Sequence, residues 1–296
     1  MPTGADAVRP DERDGAVRPV SPVELSRRAH RRRRSTRSAV IAVVSTVVLA
    51  VLLYVLVIRT PGWAAVQRQF FDPATAVEKL PDVLRGLVVN LRILVFAALG
   101  VAAFGTLIAV VRTLRGPVFA PLRLLAAAYT DLFRGIPLII VLYLVGFGVP
   151  GLGIFPRLPY EFWGTIALVL TYSAYVSEVI RAGIEGVHPS QRLAARSLGL
   201  SHAQTLRIVV LPQAVRRVTP ALMNDLVSMQ KDVGLVSILG VIDAVRSAQI
   251  ETSSAGNFTP YVVAGLLFVL ISLPLIRITD RIAARAQRRE QAGAVV

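Results

Sequence analysis

Residues 38–58 constrain this chain most, because they form a run of 21 residues without a charged side chain. A helix rising roughly 1.5 Å per residue makes that run about 31 Å long, enough to cross a hydrocarbon core of about 30 Å. A cleaved leader is the alternative. The run is long for one, the tail before it is too extended, and no small-x-small cleavage site follows Ile58. Five further apolar segments follow, at about 87–111, 122–149, 162–180, 211–241 and 258–278. With 54% apolar and 17% charged residues, the chain is too apolar for a soluble domain of this length. The predicted fold class is therefore an all-α integral membrane protein with six transmembrane helices.

Two of the five later segments, 122–149 and 211–241, are interrupted by proline or polar residues. Such interruptions survive in a membrane only where protein covers the freed backbone groups or a wet cavity reaches them. They point to an internal pathway. Basic residues orient the bundle, since loops rich in Lys and Arg stay on the cytoplasmic side. Ten arginines precede Ser38, including Arg31 to Arg34. With six spans, that tail, the residues Arg112 to Arg134, the region from Arg181 to Arg217 and the end from Arg277 to Arg289 all fall inside. These regions hold 25 of the 33 basic residues, against six in the outer loops, so both termini are predicted to be cytoplasmic.

The net charge of +15 invites a nucleic-acid reading. Because the excess is spread over every inside loop, orientation explains it and no nucleic-acid partner is predicted. Residues 1–37 read as a disordered Arg-rich tail able to rest on anionic lipid. The chain has no cysteine, and His30, His188 and His202 have no ligand spacing. No HExxH, GxxxxGK[ST] or GxSxG occurs, so no catalytic residue, metal site or ATP site is predicted in this chain. Asn257 to Thr259 fits a glycosylation sequon, a pattern short enough to arise by chance. Trp63, Tyr160, Trp163 and Tyr261 are predicted at the outer headgroup level as interface anchors.

Residues 186–212 form the most informative cytoplasmic segment. Pro189 and Ser190 open a short helix, Gly199 supplies a left-handed end, and Ser201 with Gln204 forms a capping box that starts a second helix running toward Leu211. Arg192 and Arg196 flank the small residues Ala194 and Ala195. The segment reads Leu193-Ala194-Ala195-x-x-x-Gly199, nine residues, then Val209-x-Leu211-Pro212. This closely resembles the E-A-A loop of ABC-importer permeases. Phe133 to Leu138 resembles the Arg-Gly-Thr-Pro-Leu signature of their polar amino-acid branch, and Ala174 to Gly183, Leu211 to Ala214, Asn224 and Lys231-Asp232 are similar to it as well. The likeness covers roughly residues 84–278. Three positions depart from the pattern: Leu193 stands for glutamate, Ile136 for threonine, and Val233-Gly234 for Thr-Ser.

The resemblance implies a permease subunit of an ABC uptake system for a polar amino acid, in the bacterial cytoplasmic membrane. It implies two ATPase subunits that use ATP and Mg, an external amino-acid-binding protein, and a second permease copy or a homologous permease. This chain would be a transport subunit rather than an enzyme, holding no cofactor of its own. Its parts would be a tail (1–37), an added helix (38–58), an external linker (59–83), a five-helix permease core (84–279) and a cytoplasmic tail (280–296). Arg192, Leu193, Ala194, Ala195, Arg196, Gly199, Leu211 and Pro212 would couple to the ATPase, with the departure at Leu193 removing any ion pair made by the family glutamate. A permease for another small solute is one alternative, and an ion-gradient-driven carrier is the other.

For the path itself, Asn224, Gln230, Lys231 and Asp232 interrupt the fifth apolar span, where ionisable groups mark either pairings or pathways. Glu178 and Arg181 lie three apart on one helix face, consistent with a local ion pair or a place in the path. Arg134 precedes Pro137, which bends its helix. Asp225, on a different side of the helix from Asn224, carries no assigned role.

Overall fold

A computed structural model describes the backbone of residues 22–114, 116–155 and 157–293, with side chains from 37 to 285 within those ranges. All regular structure among the described residues is helical. The chain falls into two units, Met1–Ala64 and Ala65–Val296. In the first, α1 (Pro22–Leu53) continues through a π-helical turn at Tyr54–Ile58. Helix starts at Pro22, so Arg27, Arg28, Arg31 to Arg34 and Arg37 lie on a helix where an irregular tail was expected. Arginine is a good helix former, and extending an existing helix is far easier than nucleating one. Residues 1–21 of the expected tail lie outside the described residues.

Next come α2 (Trp63–Phe70) and the 41-residue α3 (Pro73–Thr113). Asp72 starts α3: its side chain accepts from Ala74 N at 3.1 Å, while Pro73 occupies the first turn, where its missing N–H is harmless. The external linker expected over 59–83 is thus largely helical. A 3₁₀ turn (Pro117–Phe119) leads to α4 (Ala120–Gly135), which meets α5 (Leu138–Tyr143) at a break bent by 108°. Pro137 causes the break by lacking a backbone donor and by forcing Ile136 into an extended conformation, φ −101° and ψ 130°. A π-helical turn (Leu144–Gly148) joins α5 to α6 (Val149–Gly151).

α7 (Tyr160–Glu185) is followed by α8 (Pro189–Ser197), α9 (His202–Gln204) and a π-helical turn at Thr205–Val210 that runs straight into α10 (Leu211–Asp232). The widened turn falls just before Pro212, where the α-helical ladder lacks a donor. A 3₁₀ segment (Val233–Leu239), α11 (Ala244–Ala255) and α12 (Thr259–Gly293) complete the chain. Among the described residues, four helices are long and apolar enough to cross a membrane. The count reaches six if each bent pair, α4 with α5–α6 and α9–α10 with α11, is one span.

Packing in the second unit relies on small residues, as expected where lipid tails remove any hydrophobic drive between helices. A Cβ added to Gly100 would stand 2.6 Å from Val169 Cγ2, and one on Gly105 2.9 Å from Val176 Cγ1, so valines of α7 fill the space that the glycines of α3 leave open. Ile93, Leu142, Leu168 and Val236 fill the core around this contact. Trp163, expected at the headgroup level, is instead 6% exposed in that core, edge-on to Phe155 and Phe162. A buried polar knot fixes the turn before α11. Asn90 Nδ2 donates to Val233 O at 3.2 Å and to Asp243 Oδ2 at 2.9 Å, and its Oδ1 accepts from Ala244 N at 3.0 Å. Lys79 pairs with Glu251 at 2.9 Å, tying α11 to the first turns of α3, and Phe258 N donates to Gln69 O at 2.6 Å, tying the start of α12 to the end of α2.

Candidate functional site: a capped helix at the end of α7 and a polar cavity at the α4–α5 break

Residues 186–212 fold as their sequence predicts at both caps. The ring of His188 accepts from Ser190 N at 3.2 Å at the start of α8, and Gly199 ends it with φ +82°. Ser201 and Gln204 form both bonds of the capping box, 3.2 and 2.8 Å. Beyond that point the second helix runs through Leu211, as expected, and continues to Asp232.

The eight residues expected to couple to an ATPase are not equivalent. Arg192 Nη2 donates to Ile184 O and Arg217 Nη1 to Gly186 O, so two guanidinium groups satisfy carbonyls at the negative end of α7. Arg192 thereby holds α8 against α7. Ala195 is buried, 3% exposed, while Leu193, Ala194 and Arg196 face outward, with Leu193 at 68%. Beside α8, Val187, Val210 and Ala214 make a small apolar patch with Ile184. Leu211 and Pro212 are exposed on the first turn of α10.

One turn above, Glu178 accepts from Arg112 Nη1 of α3 at 2.6 Å and also pairs with Arg181, which reaches on to Glu185. The expected local pair of Glu178 and Arg181 is present, and Arg112 turns it into a clasp between α3 and α7. Each of the four charges has an opposite partner, so the cluster closes on itself.

α10 distributes its polar residues over three faces. Asn224 and Lys231, two turns apart, are exposed on this chain. Gln230 is buried, and its Oε1 accepts from Ser272 Oγ of α12 at 2.5 Å, so it joins two helices rather than facing the cavity. Asp225, Ser228 and Asp232 form the third face and line a cavity of about 480 Å³ with Arg134, Pro137, Thr171, Tyr172 and Tyr175. Tyr172 donates its hydroxyl to Asp232 Oδ2 at 2.7 Å, and the Arg134 guanidinium lies 5.8 Å from the centre of the Tyr175 ring. The α4–α5 break opens this space, because its bend carries Arg134 and Pro137 to the cavity wall.

Sequence reasoning missed Asp225, Thr171 and Asn90. The signal for Asp225 was its spacing of three and seven residues from Ser228 and Asp232, which puts all three on one helix face. Asn90 was visible as an amide inside an apolar run. Nothing local marked Thr171.

A helical membrane protein with two broken spans around a polar cavity has the build of a permease. The chain belongs to the family described as binding-protein-dependent transport system inner membrane component, whose model matches residues 102–288. It is 34% identical over 207 residues to the arginine transport system permease protein ArtQ of Bacillus subtilis, covering 69% of this chain and 92% of that one. It is 35% identical over 210 residues to the glutamate/aspartate import permease protein GltK of Escherichia coli O157:H7, with the same 69% and 92% coverage. A solved amino acid ABC transporter with histidines superposes with a TM-score of 0.67 at 33% identity, covering 72% of this chain and 98% of the matched chain. The MetNI methionine ABC transporter, at 18% identity and a TM-score of 0.58, shares the fold.

Proposed function

We propose that this chain is the permease subunit of an ABC importer that carries a polar amino acid across the bacterial cytoplasmic membrane. The observation that carries the reading is the exposed strip Leu193, Ala194 and Arg196 on a short helix that Arg192 holds to α7 and that a capped turn at 198–201 joins to the helix continuing as α10. A rigid lever of this kind passes movement at the cytoplasmic surface to the cavity, where Asp232 ends the same α10. Six spans with both termini inside put α8 in the cytoplasm, as the distribution of arginines requires.

The complex would contain two ATPase subunits, which bind ATP and Mg, an external amino-acid-binding protein, and a second permease copy or homologue. Closure of the ATPases would draw the two α8 helices together and favour the outward-open state; hydrolysis would return the cavity to the inside. Coupling of this kind requires that the ATPase contact α8 differently in the two states. Leu193 would make an apolar contact where the family pattern has a carboxylate. Relatives named for arginine, for glutamate and aspartate, and for glutamine support a polar amino acid as the solute.

Two measurements test the reading: purification of the tagged chain from its native membrane with identification of what accompanies it, and ATP-dependent uptake by the reconstituted assembly. An ATPase that accompanies the wild type and is lost with Ala194→Asp, together with ATP-dependent amino-acid uptake, supports it. A folded chain that never brings down an ATPase rejects it.

A further inference from the structure

α1 carries a charge pattern that orientation in the membrane does not account for. Its backbone runs unbroken from Pro22 to Leu53, so Arg27, Arg28, Arg31 to Arg34 and Arg37 share one helix with the apolar run that starts at Ser38. Glu24 is the single acidic residue on that helix. Arginines three or four positions apart, such as Arg27 with Arg31, Arg28 with Arg32 and Arg33 with Arg37, are neighbours on a helix surface and repel one another. Fixing the orientation needs only basic residues in a short cytoplasmic flank, and it sets no requirement that they be helical. A helix loaded in this way calls for counter-charge from outside the chain.

The arrangement of the charge identifies the partner. At about 100° per residue these arginines encircle the helix, with no gap between successive ones wider than about 100°. A protein groove or a nucleic-acid strand meets one face of a helix, whereas a membrane crossed by the helix meets all of them. Between Arg27 and Arg37 the one apolar side chain is Ala29. This stretch therefore has no apolar face on which to lie flat in the interface, and it leaves the membrane in line with the span. At roughly 1.5 Å per residue, Arg33, Arg34 and Arg37 lie within about 8 Å of Ser38, inside a headgroup layer about 5–8 Å deep. Arg31 and Arg32 follow within about 11 Å, near one Debye length, and Arg27 and Arg28 stand about 15–17 Å out. We infer that anionic phospholipid head groups form a collar around residues 31–37 and hold them helical, the phosphates accepting paired hydrogen bonds from the guanidinium groups. The inference is independent of the importer reading, since it rests on α1 alone. It puts a lipid site of fixed depth where a disordered tail on the surface was expected.

The test is amide hydrogen exchange of residues 24–37 in the full-length chain, held in nanodiscs of phosphatidylcholine alone or of phosphatidylcholine mixed with phosphatidylglycerol. Exchange is expected to be about tenfold or more slower with phosphatidylglycerol, a conservative figure for several arginines near an anionic surface. Arg33→Gln with Arg34→Gln should remove most of that protection, whereas Arg27→Gln with Arg28→Gln, an equal loss of charge further from the bilayer, should remove little. Arg281→Gln with Arg285→Gln, on α12, should leave the exchange of α1 unchanged. Equal exchange of the wild type in the two membranes overturns the inference, and that comparison needs no variant to insert. Equal effects of the two α1 pairs, or an effect of the α12 pair, replace the collar with a diffuse attraction of net charge and overturn it as well. Protection by added RNA in phosphatidylcholine, with none from phosphatidylglycerol, overturns it in favour of a nucleic-acid partner.

Discussion

Arg112, near the end of α3, donates to Glu178 of α7 across 2.6 Å, with the two side chains 15% and 23% exposed. The contact joins the helices that pack most intimately in the second unit, close to where α8 is hung from α7. Arg112→Ala would leave Glu178 paired only with Arg181. The expected loss is about 1–3 kcal/mol of stability, the range for removing one partner of a charged hydrogen bond. Thermal unfolding of the purified complex measures it. A double-mutant cycle with Glu178→Gln should show coupling between the two positions, and additive effects would contradict the clasp.

Gly86 and Gly265 should respond oppositely to alanine. A Cβ on Gly86 would sit 2.3 Å from the backbone carbonyl carbon of Asp243, while nothing lies within 4 Å of one on Gly265. Backbone cannot swing aside as a side-chain end can, so Gly86→Ala should destabilise by about 1–3 kcal/mol or more. Gly265→Ala, inside α12, should be neutral or slightly stabilising through helix propensity, by about 0.5–1 kcal/mol. Monodisperse yield and unfolding temperature of the two variants compare them directly.

Asn90 is 1% exposed and makes three hydrogen bonds to the turn that separates α10 from α11. Asn90→Leu keeps the approximate volume but removes the partner of Asp243 Oδ2, of Val233 O and of Ala244 N. A loss of about 2–4 kcal/mol is expected, since each buried group left unsatisfied is penalised by about 1–3 kcal/mol. Asn90→Asp should be worse, because it sets a second carboxylate beside Asp243. Protease sensitivity of the α10–α11 turn would rise in both variants; an unchanged cleavage pattern would show that the knot is dispensable.

Ala194 and Ala195 are neighbours with different duties. Ala194→Asp places a carboxylate on the exposed strip, so folding should persist while ATPase association falls. Ala195→Asp buries a carboxylate and should lower the yield of folded chain before any partner is added, by several kcal/mol of stability. Co-purification of the ATPase, read against size-exclusion profiles, separates the two effects. Equal behaviour of the variants would mean that α8 does not present the face described here.

Local patterns made the helices, the caps of α8 and α9, and the kink at Pro137 legible in advance, since each depends on residues within one or two turns. The grouping of Asn224, Gln230, Lys231 and Asp232 was less informative. Adjacency along a chain says little about adjacency around a helix, and these four residues point in three directions. Arg192 shows the same limit: an arginine beside an alanine pair could equally meet a partner or cap its own neighbour, and only the position of Ile184 O decides.

The sequence by itself determined that the chain is helical and apolar enough to enter a membrane, that α4 and α5 part at Pro137, and where the caps of α8 and α9 fall. Those properties follow from apolar run length and from proline, glycine and capping chemistry, all of them local. Tertiary structure alone decided that Thr171 and Asp225 share a cavity with Arg134, that Gln230 serves α12, and that Asn90 pins a turn 153 positions away. Such pairings arise when separate helices pack at a fixed register, and no single segment carries the information for that register.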